Sequence, residues 1–142
     1  MLNLYIGAVY GGPETETTKY HLYWIEISNL KDGYCDETRL GKEGFVDFVF
    51  HFPGSILKPE FIGLRTGRFS RKQMMLQIQC SVPADLVDAD EERIEAFIFQ
   101  TVKVAIAMAE TKFKKAKIPY DLEEQIRAWG MVEKQYREMK MH

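Results

Sequence analysis

The chain has 142 residues, of which 46% are hydrophobic and 28% are charged, and its formal net charge is −2. This length and composition predict one globular domain spanning residues 1–142, able to bury about 70% of its unfolded surface without disulfides or structural metals. The slightly acidic balance argues against general nucleic-acid binding, which usually requires a basic surface.

Five segments are typical of β-strands, because apolar and polar residues alternate in them or because aromatic and β-branched residues are enriched. They are Leu2–Tyr10, Tyr20–Ser28, Phe45–Phe52, Phe61–Arg68 and Gln73–Val82. Glycine or proline comes directly after three of them, which is typical of strand ends. Together they predict an antiparallel sheet of about five strands, with an outer face that bears Tyr5, Gln77 and Gln79.

The longest stretch without a clear period is Asn29–Gly44, between the second and third predicted strands. Loops of this length are uncommon in compact domains and are often functional. A surface excursion that contains a short turn or helix explains the pattern as well.

The strongest periodic signal predicts a helix from Asp88 to Lys117. Asp88 and Glu91 have the spacing of a capping box, and an acidic start with a lysine-rich end suits the helix dipole. Pro119 predicts that the helix ends near residues 116–118. Apolar residues recur at spacings of three and four, and this stripe predicts a core that contains Ile94, Ile98, Val102, Met108 and Phe113.

A second, narrower amphipathic helix is predicted after Asp121, which has the capping-box spacing to Glu124. Gly130 in its interior costs about 1 kcal/mol relative to alanine and indicates close packing or a bend. Because strands come first and helices last, the order of elements predicts an α+β fold. Its two C-terminal helices are expected to pack on one face of an antiparallel sheet.

No catalytic set, metal site or cofactor site is predicted. Asp47 and His51 are four strand residues apart, about 13 Å, which is too far for a dyad. The cysteines, Cys35 and Cys80, have no C-x-x-C spacing and are expected to be reduced thiols of a cytoplasmic protein. No basic segment precedes an apolar stretch near the N-terminus, and Val104–Ala109 is too short an apolar run to span a membrane, so neither a signal peptide nor a membrane span is expected.

The C-terminal half resembles small bacterial immunity proteins of polymorphic and contact-dependent toxin systems. The resembling features are a strand that ends in Ser81-Val82-Pro83, an acidic helix start, a helix with a lysine-rich end, and a proline–aromatic–aspartate start of the next helix. These features cover residues 81–83, 88–92, 105–117 and 118–122.

The resemblance implies stoichiometric inhibition of a cognate bacterial toxin domain, without catalysis and without direct contact to nucleic acid. Many such toxins are nucleases with basic clefts, so carboxylates around an aromatic anchor would suit the contact. On the long loop, the candidate partner-binding residues are Asp32, Tyr34, Asp36 and Glu37.

Two alternative functions remain open from the residues themselves. The basic cluster of the hairpin Arg65–Lys72, with Phe69 inside it, is suited to a phosphate, a nucleotide or a single strand, as a small binding domain or enzyme would require. A solvated hairpin tip explains the same cluster. The second alternative is an oligomeric structural protein built on an exposed sheet edge; the sequence leaves the oligomeric state open.

Overall fold

The computed structural model describes residues 3–10, 19, 26–27, 45–52, 64–70 and 75–141. Four strands are found in these ranges: β1 (Asn3–Tyr10), β2 (Phe45–His51), β3 (Leu64–Ser70) and β4 (Met75–Ser81). A short 3-10 turn, Ala84–Leu86, leads to two long helices, α1 (Glu91–Lys115) and α2 (Leu122–Lys140). The α+β class is therefore confirmed.

The four described strands form one mixed sheet in the order β1-β2-β4-β3. β1 pairs with β2 in parallel, and β2 pairs with β4 in parallel, with Phe48 opposite Ile78. β3 is antiparallel to β4. The predicted antiparallel sheet of about five strands is therefore not supported, although the hairpin between the last two predicted strands agrees with the prediction.

The parallel pairing of β1 with β2 explains where the strand prediction was wrong. Parallel neighbours cannot be joined by a tight turn and require a crossover connection, which is usually helical. In the predicted strand Tyr20–Ser28 the structure describes two residues, Glu26 and Ile27, and both are helical. Ile27 is fully buried in the core. Tyrosine, tryptophan and isoleucine in this segment favour strands in general, but at Glu26 and Ile27 the backbone is helical.

The hydrophobic core lies between the sheet and α1. β2 and β4 contribute alternate residues to it, among them Phe48, Phe50 and Ile78. The ring of Phe50 packs against that of Phe97 on α1, at 6.2 Å between centroids. β2 is also buried on its opposite face, at Val49, as expected of a central strand with parallel neighbours on both sides.

The apolar stripe of α1 was predicted largely correctly. Four of the five predicted core residues are at most 1% exposed: Ile94, Ile98, Val102 and Phe113. Met108 is only half-buried. Val104, on the same helix, is 40% exposed.

The first turn of α1 differs from the prediction. Asp90, not Asp88, is the N-cap, and its side chain accepts a hydrogen bond from the backbone N–H of Arg93 at 2.9 Å. Asp88 has a φ of 61°, whereas an N-cap residue takes an extended backbone. Aspartate tolerates this left-handed conformation better than most residues.

The end of α1 agrees with the prediction, since Ala116 is the C-cap. The N–H of Ile118 donates to the carbonyl of Phe113, and the N–H of Lys117 donates to that of Lys114, each at 2.9 Å. This is a Schellman motif, in which the residue after the cap is usually glycine. Here Lys117 takes that position with a φ of 60°.

α2 begins as predicted, with Asp121 as its N-cap. It runs antiparallel to α1, because its start contacts Ile106 and its end contacts Glu91. The indole N–H of Trp129 donates to the backbone carbonyl of Phe99 at 3.1 Å, and the hydroxyl of Tyr120 donates to that of Ile106 at 2.7 Å. These bonds hold the two helices together at two positions along their length. Gly130 does not serve close packing, because an added Cβ would have nothing within 4 Å.

Candidate protein-binding surface

The predicted contact residues of the long loop lie outside the described residues. They are Asp32, Tyr34, Asp36 and Glu37. The same holds for Cys35, so the assignment of this loop stays a prediction.

The basic hairpin is described in part, from Arg65 to Ser70. Arg65 is exposed, but Phe69 is partly buried and packs edge-on against Phe113, with ring centroids 6.0 Å apart. A ring that packs in the core in this way is poorly suited to stack on a nucleic-acid base. This disfavours the alternative in which the hairpin Arg65–Lys72 binds a single nucleic-acid strand. Arg71 and Lys72 lie outside the described ranges.

The predicted outer face of the sheet is only half-open. Gln77 and Gln79 are both half-buried, and the amide of Gln79 donates to the side-chain oxygen of Gln77 at 2.9 Å. Nε2 of His51, a residue that is 3% exposed, lies 2.5 Å from Oε1 of Gln79. The glutamines are thus bonded to one another and to the histidine, which leaves fewer of their polar groups for a partner. For Tyr5 the structure gives the strand pairing alone, with Asp47 opposite.

Cys80 is a free thiol that is fully buried on β4. Burial raises its pKa far above the ordinary value, because the thiolate would lose its hydration. A nucleophilic cysteine needs the opposite environment, so this thiol belongs to the core.

The most acidic described surface is the turn before α1 together with the first turn of that helix. We call it the acidic end; it comprises Asp85, Asp88, Asp90, Glu91 and Glu92, all exposed. Arg93 pairs with Asp85 at 2.9 Å. Asp88 and Glu92 form no salt bridge with any residue of the described ranges. Their charges are consequently open to a partner.

Beside the acidic end, the last turns of α2 form the other wall of an open groove of about 670 Å³. Its lining includes Glu95, Tyr136, Lys140 and Met141. Met141 is 82% exposed, and the neighbouring Met139 is 59% exposed. The groove therefore combines carboxylates with flexible apolar side chains at its rim.

Lys140 lines this groove and forms salt bridges that connect α2 to α1 and to Glu26, in the segment between β1 and β2. Its Nζ lies 2.9 Å from Glu26, 3.1 Å from Glu91 and 4.0 Å from Glu95. The hydrogen bonds that Lys140 donates to Glu26 and Glu91 raise the pKa of Lys140, and the bond that Glu91 accepts from Lys140 lowers the pKa of Glu91. Through Glu26, the network joins the connection between β1 and β2 to both helices.

Tyr136 is the buried member of the same network. Its hydroxyl lies 2.5 Å from Oε1 of Glu95 and 3.1 Å from Oε2 of Glu26. Burial raises the pKa of Tyr136, and the bond to Glu95 adds to that effect. Burial also raises the pKa of Glu95, while the bond from Tyr136 lowers it. The hydroxyl is thus the main group that stabilises the Glu95 carboxylate.

Three carboxylates of this network offer oxygens within 4.8 Å of one another, from Glu26, Glu91 and Glu95. Such a set is chemically suited to a hard divalent cation. The ammonium group of Lys140 already contacts the same oxygens, so a cation would have to displace it. The arrangement is accounted for by this ion-pair network.

Sequence reasoning identified the acidic charges but missed the network. Glu26 and Tyr136 are 110 positions apart, and no local spacing links residues so distant in the sequence. The one local signal is that Glu91 and Glu95 share a helix face at the i,i+4 spacing, which places two like charges together. Two neighbouring carboxylates are stabilised by a nearby cation, but their spacing does not identify Lys140 as that cation.

The fold and this surface define an α+β domain with an acidic groove. No family model matches the chain, and no curated protein or solved structure matches it either. Neither described helix is long and apolar enough to cross a membrane.

Proposed function

We propose that this chain is an immunity protein, which binds a cognate bacterial toxin domain and neutralises it by stoichiometric inhibition. The observation that carries the proposal is the acidic end, where five exposed carboxylates occur within eight residues, 85–92. The resemblance of the C-terminal half to immunity proteins also supports it, and residues 88–92 of the acidic end are part of that resemblance. Contact with a basic toxin cleft would occupy the cleft and exclude its substrate.

Charge complementarity explains why such a surface favours binding to a basic protein. Opposite charges steer the two proteins together and raise the association rate more than they raise the affinity. Asp88 and Glu92 contribute most to this effect, because no salt bridge within the described ranges offsets their charges and neither caps the helix, as Asp90 does. The exposed methionines, Met139 and Met141, supply adaptable apolar contact beside the carboxylates.

The predicted loop residues are the second part of the proposed contact. Asp32, Asp36 and Glu37 would add to the steering charge, and Tyr34 would serve as the anchor that slows dissociation. The acidic end and the loop can be tested separately, since substitutions in one leave the other unchanged.

The first experiment is protection of growing cells. The chain is co-expressed with a toxin domain sought in the reading frames next to its own gene, and growth is compared with cells that express that domain alone. We expect protection and a one-to-one complex on gel filtration. Loss of toxicity without a complex, or turnover of a phosphorylated small molecule by the purified chain, would contradict the proposal.

The second experiment assigns the surface by association kinetics. In the variant Asp88→Asn/Glu92→Gln, we expect several-fold slower association at low salt and little change in the dissociation rate. The matched control is Glu123→Gln/Glu124→Gln, which removes two exposed carboxylates from the first turn of α2, at the other end of the helix pair. Equal slowing in both variants would mean that net charge matters and the acidic end does not.

The loop variants complete the assignment. Neutralising Asp32, Asp36 and Glu37 together should slow association if the loop also faces the toxin. Tyr34→Ala should speed dissociation by a factor that corresponds to about 2 kcal/mol in the hot-spot case. Unchanged rates in both loop variants would restrict the contact to the acidic end.

A further inference from the structure

The network around Lys140 and Tyr136 contains more negative than positive charge. When every carboxyl is ionised, three negative charges meet the one ammonium group of Lys140, which leaves a formal charge of −2. Within the described ranges no second cation pairs with these carboxylates, and the guanidinium of Arg137 pairs with Glu133 at 3.4 Å. A proton is therefore the cation that the network can take up without displacing Lys140.

The groups that face the Glu95 carboxyl come from three parts of the described chain. They are Glu91 on the same helix, Tyr136 and Lys140 on α2, and Glu26 in the connection between β1 and β2. The other charged residues that line the same groove are Asp90, Glu92 and Arg137. Glu95 thus lies at the point where both helices and the connection meet.

Burial decides which carboxyl takes up an additional proton. The side chain of Glu95 is 12% exposed, whereas those of Glu26 and Glu91 are about half exposed. Loss of hydration penalises the charged form of a carboxyl, and this penalty is largest for the most buried of the three. The additional proton therefore goes to Glu95.

Tyr136 places a single hydroxyl between two of these carboxylates. Its oxygen lies 2.5 Å from Oε1 of Glu95 and 3.1 Å from Oε2 of Glu26. A tyrosine hydroxyl has one proton, so it donates to one carboxylate at a time, while its oxygen can still accept. The shorter distance is typical of a hydroxyl that donates to an ionised carboxylate, so with Glu95 ionised the proton points to Glu95.

Protonation of Glu95 reverses this arrangement. The new carboxyl O–H requires an acceptor, and the hydroxyl oxygen of Tyr136 is in place to accept from it. By rotation about its C–O bond, the hydroxyl then turns its own proton to Oε2 of Glu26, which is still ionised. One proton enters from solvent through the open groove and stays on Glu95, and Tyr136 keeps its own.

We propose that Glu95, Tyr136 and Glu26 form a proton-operated switch, in which proton uptake by Glu95 turns the Tyr136 hydroxyl from Glu95 to Glu26. With Glu95 ionised, Lys140 is the one donor to Glu26 among the described residues, at 2.9 Å. With Glu95 protonated, Tyr136 is a second donor to the same oxygen. Acidification therefore strengthens the contact between α2 and the connection that carries the predicted loop residues, whether or not the proposed toxin binds there.

The first step of the switch is measured by carbon-13 NMR of the glutamate carboxyl groups in the full chain. Burial raises the pKa of Glu95 above its ordinary 4.5, whereas the bond from Lys140 lowers that of Glu91. Two carboxyls one helical turn apart should therefore titrate on opposite sides of 4.5. A midpoint for Glu95 at or below 4.5 would overturn the proposal.

The second step is measured at the ring carbon that bears the Tyr136 hydroxyl. Its resonance should shift with the same midpoint as the Glu95 carboxyl, because the hydroxyl changes its acceptor there. The same carbon of Tyr120 is the control, since that hydroxyl donates to the backbone carbonyl of Ile106, and its resonance should not follow this midpoint. A Tyr136 carbon that shows no shift across the Glu95 midpoint would overturn the reversal.

A double-mutant cycle tests whether the hydroxyl turns to Glu26. The unfolding equilibrium constant is measured in urea for Tyr136→Phe, Glu26→Ala and the double variant, above and below the Glu95 midpoint. The two changes should be nearly additive while Glu95 is ionised, and non-additive by about threefold or more in that constant once it is protonated. The matched cycle of Tyr120→Phe with Glu26→Ala should be additive in both ranges. A coupling between Tyr136 and Glu26 that does not grow on protonation of Glu95 would overturn the proposal.

Discussion

Removing the hydroxyl of Tyr136 tests the network that joins the two helices. Tyr136 is 2% exposed, and its hydroxyl is 2.5 Å from Glu95, whose side chain is 12% exposed. Tyr136→Phe keeps the ring and nearly all of its volume, so the loss of stability contains no contribution from a cavity. A hydrogen bond to a charged group contributes about 1.5–3 kcal/mol, so we expect a loss of about 2 kcal/mol at neutral pH.

Tyr120→Phe is the matched control for this change. Its hydroxyl donates to the backbone carbonyl of Ile106, which is an uncharged acceptor. A neutral hydrogen bond contributes about 0.5–1.5 kcal/mol, so this loss should be the smaller of the two. Urea denaturation of both variants and of the unchanged chain gives the comparison.

The pH dependence separates a charged acceptor from a neutral one. Burial raises the pKa of Glu95 in the folded chain above its ordinary value of 4.5. At pH values above the folded pKa, the buried charged carboxylate therefore lowers the stability of the fold, and this loss disappears as the pH falls towards 4.5. Without the hydroxyl, the folded pKa rises further. The loss in Tyr136→Phe should therefore shrink as the pH falls from neutral through the folded pKa towards 4.5, while the loss in Tyr120→Phe should stay constant. A loss in Tyr136→Phe that is equal at every pH would refute this account of Glu95.

Three further predictions concern the helices, and each is measured as a change in the free energy of unfolding. Lys117→Gly should stabilise the chain by up to about 1 kcal/mol, because the left-handed backbone costs more with a side chain than the glycine costs in entropy. The control Lys103→Gly, at an exposed position in the middle of α1, should destabilise it by about 1 kcal/mol. Gly130→Ala should stabilise by about 1 kcal/mol because the added methyl meets open space; a loss would mean that α2 needs the glycine backbone. Ile98→Ala should cost about 2–5 kcal/mol, as this side chain is fully buried, and a cost below about 0.5 kcal/mol would contradict its place in the core.

The parts of the fold that could be predicted are those encoded locally. The stripe of α1 repeats every three to four residues, so Ile94, Ile98 and Val102 could be assigned to the core from spacing alone. Pro119 marked the end of α1 within two residues, because proline excludes the helical conformation before it. Asp121 was found as a cap because its spacing to Glu124 is a property of one turn.

The parts that could not be predicted depend on residues far apart in the sequence. The parallel pairing of β1 with β2 joins residues 3–10 to 45–51, and no local pattern distinguishes it from antiparallel pairing. The choice between Asp88 and Asp90 as N-cap depended on the backbone before the helix, where Val87 and Ala89 pack against the core. The contact of Tyr136 with Glu26 was missed because Glu26 lay in a segment predicted to be a strand, whereas it is helical in the structure.

The association rate with the toxin domain, measured at low and high salt, tests the central claim most directly. The account predicts a one-to-one complex whose formation is slowed by Asp88→Asn/Glu92→Gln at 0.1 M salt, where the Debye length is about 10 Å, and is nearly unaffected by it at 1 M, where that length is about 3 Å. It also predicts that Glu123→Gln/Glu124→Gln associates as fast as the unchanged chain. Absence of a complex with the toxin, or equal rates for all three proteins at low salt, would contradict it.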